Sequence, residues 1–489
     1  MVYKNPVISG YYPDPSICKS NDSYYLVCSS FQCFPGVPLF ESKDLVNWKQ
    51  IGNVLTRESQ LPLFKARSSG GIYAPTIREN NGRFYMVTTN VTGGGNFYVY
   101  TDDIYGEWSE PIFVDQSGID PSLYFEDNRA YFVSNGNDPD KDCIPGIQLC
   151  EIDIKTGKKL TESKYIWHGS GGRYVEAPHI YHIGGHYILM CAEGGTEYGH
   201  MVTVAESDDI WGEYKGYEHN PVLTNRNLGG YSLQAVGHGD LIEDYSGNYW
   251  MVHLGFRVNE EYQNYHHLGR ETFLTPVTFD GKGFFTAGEN GTATLEVTTD
   301  RLPESLFQKP VTADKNYICL RNPHKENYII TDEKITLIGT DITLDDVDSP
   351  TFLGLRQLEF NAVITSNVKL NSDGASGITL YMDENHHYDL ELEKTDKGIC
   401  GCVLINIGDV KDYYKKCVEI SSDNAKLKII AKPSEYLFYI NGEEIGTAQA
   451  RYLSSEVAGG FTGVIIGLFA EKTEAEFTEF DITYETNNS

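Results

Sequence analysis

Over the first 300 residues, short apolar runs are broken every few positions by polar turns, and no long stretch shows 3.6-residue periodicity. One pattern recurs within them: a small polar step, an apolar residue, a turn, then an aromatic-rich strand. It reads Pro15-Ser16-Ile17 with Tyr24-Tyr25-Leu26-Val27, then Pro75-Thr76-Ile77 with Phe84-Tyr85-Met86-Val87. It returns as Pro121-Ser122-Leu123 with Ala130-Tyr131-Phe132-Val133 and as Pro178-His179-Ile180 with His186-Tyr187-Ile188-Leu189. The fifth copy replaces the proline: Gly239-Asp240-Leu241 with Asn248-Tyr249-Trp250-Met251. From the first residue of each copy to its tyrosine the offsets are 10, 10, 10, 9 and 10 residues. Turn formers between them, such as Asn81-Gly82, Asp127-Asn128 and Gly184-Gly185, suit tight hairpins. Three copies are followed by a second shared element, Ser42-Lys43-Asp44-Leu45, Thr101-Asp102-Asp103-Ile104 and Ser207-Asp208-Asp209-Ile210.

The copies begin at residues 15, 75, 121, 178 and 239, a mean period of 56. That length holds four strands and their loops, the content of one propeller blade. Beyond the proline-containing segment 301–310 the repeat stops, but alternating strands continue as Ile378–Met382, Tyr388–Leu392 and Tyr436–Ile440. The last runs into Asn441-Gly442, a strong type I′ turn. The expectation is all-β: a five-bladed β-propeller over 1–300, a linker over 301–310, and a C-terminal β-sandwich over 311–489.

Composition narrows the partners. The 489 residues carry 69 Asp and Glu against 39 Lys and Arg, a net charge of −30, which disfavours nucleic acid and anionic membrane. An aromatic content of 12% argues against disorder. The longest apolar run, Val464–Ala470, is too short to span a bilayer. The N-terminus lacks the basic and apolar regions of a signal peptide, so a cytoplasmic protein is expected. Ten cysteines without paired CxxC spacing then read as buried reduced thiols.

The residues just before the five copies are Asp14, Ala74, Asp120, Ala177 and His238, with Glu176 one place further back in the fourth. Blade repeats put equivalent positions at equal radius, so these side chains converge at one mouth of the channel. Any one acid alone reads as a turn former before proline. Recurrence at one repeat position is what points to a site. Paired carboxylates in an aromatic-lined channel suit glycoside hydrolysis, one acid protonating the leaving oxygen and one base activating water. Glu176, between Val175 and Ala177-Pro178, has the less polar setting expected of the protonated partner. Asp14, in Tyr12-Pro13-Asp14-Pro15-Ser16, has hydroxyl and backbone donors nearby to hold it ionised.

The run Asn5-Pro6-Val7-Ile8-Ser9-Gly10-Tyr11-Tyr12-Pro13-Asp14-Pro15-Ser16 resembles the opening signature of glycoside hydrolase family 43. The resemblance continues through Gly71-Ile72-Tyr73-Ala74-Pro75, Asp120-Pro121-Ser122, Glu176-Ala177-Pro178-His179, Gly237-His238-Gly239-Asp240 and Gly269-Arg270-Glu271-Thr272. Gly460-Phe461-Thr462-Gly463 resembles the appended sandwich of the family's β-xylosidase branch. The resemblance implies an inverting exo-hydrolase with Asp14 as general base, Glu176 as general acid and Asp120 tuning the acid. It implies terminal xylose release from short β-1,4-xylo-oligosaccharides, with α-L-arabinofuranosidase or dual activity as the alternative.

Phe31 and Tyr73 match sugar-contacting aromatics, although the family usually has Trp where Tyr73 stands. Arg270 matches a substrate-binding arginine, whose plain alternative is an ion pair with Glu271. Phe461 resembles a residue by which the sandwich reaches the active-site rim. His238 matches a channel histidine that orients water or a carboxylate, or stands beside a divalent cation such as calcium, for which one imidazole is a poor signature. No cofactor is required by this reading, and homo-oligomer formation is left open. Two rival classes are a carbohydrate-binding propeller without catalysis and an adaptor propeller; neither needs all three acids.

Overall fold

The computed structural model describes residues 1–259, 263–281, 284–413 and 418–485. Five four-stranded antiparallel sheets follow one another along the chain. Their first strands are Ser16–Ser20, Thr76–Asn80, Ser122–Glu126, Glu176–Ile183 and Leu233–Glu243. These first strands pack side by side in a closed ring. Each sequence repeat is the first hairpin of one blade, and the turns at Asn81-Gly82, Asp127-Asn128 and Gly184-Gly185 have both central residues at positive φ.

The second strand of each blade explains the aromatic-rich runs. Its successive side chains face opposite sides, and both sides are buried against a neighbouring blade. Tyr25 and Val27 pack with Ile77, Phe84 and Met86 of the second blade. Tyr24 and Leu26 turn the other way, onto Trp250 and Val252 of the fifth. The same division sends Tyr85 and Val87 to the third blade and Tyr131 and Val133 to the fourth. A strand with no solvated face has no polar positions to alternate with.

The ring is closed by the N-terminus. Val2–Lys4 pairs with Glu296–Thr298, and the Asn5 side chain exchanges two hydrogen bonds with the backbone of Leu274 in blade five. Deep in the ring the channel is plugged by polar groups from four blades. Asp240 accepts from Arg78 Nη1 at 2.7 Å, Ser16 Oγ at 2.6 Å and Tyr181 OH at 2.6 Å, while Arg78 Nη2 meets His179 Nδ1 at 2.9 Å. Removing one partner of such a buried pair typically costs about 3–5 kcal/mol.

After the propeller, Cys319–Leu320 pairs with Cys33–Phe34 of the first blade. The chain then forms two packed seven-stranded sheets. Their facing side chains, including Ile364, Val368, Leu380, Leu390, Leu427 and Phe438, make one core. The turn at Asn441-Gly442 has the expected positive φ at both residues. Helix among the described residues is confined to one turn at Ser455–Ala458 and short 3-10 segments. An aromatic layer joins the two parts: Tyr11, Phe31 and Cys33 pack with Phe352, Tyr381, Ile465 and Phe469. The nine described cysteines are all free; seven are buried, Cys400 is partly covered and Cys143 is exposed, while Cys417 lies outside the described residues.

Candidate active site

In four of the five blades the repeat position has an unusual backbone. Asp14, Asp120 and His238 adopt φ of 56°, 52° and 46°, and in the fourth blade the left-handed residue is Ala177 at 52°. Non-glycine residues in this region carry a conformational cost and cluster at functional sites. The bend turns each side chain off the strand into the mouth of the channel. In blade four the bend falls on Ala177, and the pairing shifts register between Glu176 and His179. That shift presents Glu176 rather than Ala177, the residue at the equivalent position.

All three acids line one cavity of about 80 Å3, together with Phe31, Tyr73, Ala74, Ile119, Thr196, His238, Arg270 and Phe461. Every site residue expected from sequence is therefore present in it. Arg270 donates to Asp14 Oδ1 at 3.0 Å, Ser29 Oγ donates to Oδ2 at 2.5 Å, and His238 Nδ1 lies 3.4 Å from Oδ1. The hydroxyl that holds Asp14 is thus Ser29, fifteen residues on, while the neighbouring Ser16 serves Asp240. Glu271 does not pair with Arg270; it accepts from Arg257 at 2.8 Å.

The three carboxyl groups are pushed apart. Burial of Asp14 favours its neutral form, but the charges of Arg270 and His238 and the Ser29 hydrogen bond outweigh it, so its pKa falls below the usual range. Glu176 is raised to about 7 by burial and by the Asp14 charge, against the pull of Arg270. Asp120 is also raised, first by burial and then by Glu176 and Asp14. The Glu176 charge is thus one reason why Asp120 resists ionisation. The pocket therefore holds one ionised carboxylate and a proton-retaining pair, the division needed for simultaneous base and acid work.

The aromatic walls come from both domains. Phe461 stacks on Phe31 with ring centroids 5.9 Å apart and meets Tyr73 edge-on at 6.1 Å. The Arg270 guanidinium lies 5.7 Å from the Phe31 ring and 5.4 Å from that of Phe461. The sandwich loop comes this close because a Cβ on Gly463 would sit 2.4 Å from the Leu268 carbonyl oxygen. The Phe461 N–H is held by Ser69 Oγ at 2.8 Å.

The inner cavity opens into an outer hollow of about 480 Å3 that shares Glu176, Thr196, Arg270 and Phe461 with it. Glu176 thus stands at the boundary between the two. The hollow is lined further by Arg173, Tyr174, Tyr198, Phe256, His266 and Glu456. Glu456, from the helical turn of the sandwich, accepts from Tyr198 OH at 2.8 Å and contacts His266 Nδ1 at 2.8 Å. None of these wall residues was predicted from sequence. Thr196, whose Oγ1 accepts from Arg270 at 2.8 Å, was also missed, since it occupies no repeat position.

His238 has two acidic neighbours. Its nearby carboxylates, Asp14 and Asp240, are already engaged by Arg270 and Arg78. Among the described residues no three His, Cys, Asp or Glu side chains converge as a metal site requires.

Family profiles match both parts of the chain: Glycosyl hydrolases family 43 over residues 3–285, and the beta xylosidase C-terminal concanavalin A-like domain over residues 307–484. A non-reducing end alpha-L-arabinofuranosidase, BoGH43B, from Bacteroides ovatus is 37% identical, with 98% of this chain and 94% of the relative covered. A xylosidase/arabinosidase from Butyrivibrio fibrisolvens is also 37% identical, with 98% of each covered. Among solved structures, the Bacteroides ovatus xyloglucan PUL GH43B superposes with a TM-score of 0.92 at 36% identity, covering 99% of this chain and 100% of that one. A xylan beta-1,4-xylosidase from Bacillus halodurans gives 0.88 at 30% identity, covering 97% and 98%. The acid-bearing propeller, its appended sandwich and these matches agree: the chain is a glycoside hydrolase and belongs to family 43.

Proposed function

We propose that the chain is an inverting exo-hydrolase that releases terminal xylose from short β-1,4-xylo-oligosaccharides. The terminal sugar occupies the small inner cavity between Phe31, Tyr73 and Phe461, and the leaving sugar extends into the outer hollow. Glu176, at the boundary, donates its proton to the glycosidic oxygen as the bond breaks. Asp14 takes a proton from the water that attacks the opposite face of the sugar. Burial and the Asp14 charge keep the Glu176 proton in place, Asp120 stands in the same cavity as the third carboxyl group, and Arg270 binds sugar hydroxyls while holding Asp14 ionised. No cofactor enters these steps. The observation that carries this reading is the convergence of Asp14 and Glu176 in one cavity, in surroundings that push their pKa values in opposite directions.

Terminal α-L-arabinofuranosyl groups are the second reading, supported by the names of the Bacteroides and Butyrivibrio relatives. Both sugars are neutral pentoses of similar volume, so the choice depends on ring shape within the inner cavity. Steady-state kinetics on xylobiose and on an aryl α-L-arabinofuranoside decide between them. The expected result is a higher kcat/KM on xylobiose. Cleavage of the arabinofuranoside alone would transfer the assignment to the second reading, and cleavage of neither would favour a binding protein.

A further inference from the structure

Glu193 is fully buried, lies outside the catalytic cavity, and has no part in the chemistry described so far. It ends the strand His186–Glu193, one residue beyond Ala192, the cross-strand partner of Glu176. Its two carboxylate oxygens accept four hydrogen bonds. Oε1 receives Ser170 N–H at 2.8 Å, Ser170 Oγ at 3.0 Å and Thr203 Oγ1 at 2.7 Å, while Oε2 receives Gly172 N–H at 2.7 Å. The next residue continues the grip, because Gly194 N–H donates to the Arg173 carbonyl at 2.7 Å.

These bonds pin the segment that leads directly into Glu176. A Cβ on Gly172 would lie 2.6 Å from Glu193 Oε2, so the loop rests on the carboxylate without room for a side chain. Beyond it, Arg173 pairs with Glu197 and lies over the Tyr174 ring, and both Arg173 and Tyr174 wall the outer hollow. One buried carboxylate therefore fixes both the approach to Glu176 and one wall of the space beside it.

We propose that Glu193 is a positioning residue that sets the placement of Glu176 against the leaving-group oxygen. This rests on Glu176 being the general acid. In Glu193→Gln, one acceptor becomes an NH2 group, which cannot accept from the backbone and hydroxyl donors that face it. Displacing a catalytic group by about 1 Å can cost ~100-fold in rate. A misplaced acid matters most when the leaving group is a poor one that requires protonation.

The test compares kcat/KM on xylobiose with that on an aryl β-xyloside bearing an activated leaving group, together with the thermal midpoint. Glu193→Gln is expected to lose ~10- to 100-fold on xylobiose and less than ~3-fold on the aryl substrate. Thr203→Val, which removes one donor without changing shape, is expected to show a smaller loss with the same substrate bias. Should Glu193→Gln fail to fold, this second variant carries the test. Equal losses on both substrates, or none, would overturn the proposal. Glu176→Gln, assayed in parallel, separates the two assignments. A leaving-group bias there without one in the Glu193 or Thr203 variants rejects only the positioning role; its absence in Glu176→Gln rejects the acid assignment and the positioning role with it.

Discussion

Asp14→Ala is expected to lower kcat on xylobiose by about three to four orders of magnitude while leaving the protein folded, because the proposed mechanism makes Asp14 the base that activates water. Asp14 is well placed for this role. Arg270, Ser29 and His238 hold its carboxylate ionised even though it is only 5% exposed. The loss is expected for every substrate, since water must attack whatever group departs. Asp14→Asn keeps the shape and a hydrogen-bond acceptor beside Arg270, and is expected to lose activity to a similar degree. Stopped assays on both variants, with thermal midpoints, make the check. Retention of more than about a tenth of wild-type kcat in either variant would remove Asp14 from the role.

Glu176→Ala is expected to separate substrates rather than abolish all turnover. On xylobiose the loss should reach ~1,000-fold or more, but on an aryl xyloside with an activated leaving group it should be about tenfold, because that group departs without protonation. The pH dependence follows from the same assignment. Activity requires Asp14 ionised, so the acidic limb of kcat/KM lies below the ordinary carboxylate range. It also requires Glu176 protonated, so activity falls as pH rises through about 7. Glu176→Ala should abolish that alkaline limb on the aryl substrate and leave the acidic limb in place. A pH profile with an unchanged alkaline limb would assign it to another group.

Much of this site was readable in the sequence because the propeller is a repeat. Asp14 and Asp120 stand at one repeat position, and the fold converts equal position into common location. Even the one-residue offset at Glu176 was visible, although only the structure shows the shifted pairing that accompanies it. The all-β architecture was legible for a related reason: strands buried on both faces leave continuous apolar runs that cannot be mistaken for solvated loops.

What sequence did not reveal lies in contacts between distant segments. Arg270 meets Asp14 across 256 positions, and Glu271, its apparent partner, belongs to Arg257 instead. Ser29 rather than Ser16 holds Asp14, because the left-handed turn carries the carboxylate away from the following residue. The outer hollow depends on Glu456 reaching His266 across 190 positions from the second domain. Neither element shows any pattern that announces the meeting. A neighbouring oppositely charged residue is a poor guide where side chains on one strand point to opposite faces.

The central claim is that Asp14 and Glu176 act on opposite faces of the sugar, with water attacking directly. Proton NMR of xylobiose hydrolysis, recorded at high enzyme concentration before mutarotation, follows the anomer first released. Direct displacement at the β-linkage predicts that α-xylose appears first and relaxes towards the equilibrium mixture. Initial appearance of β-xylose would contradict the account, since it requires two displacements through a covalent intermediate.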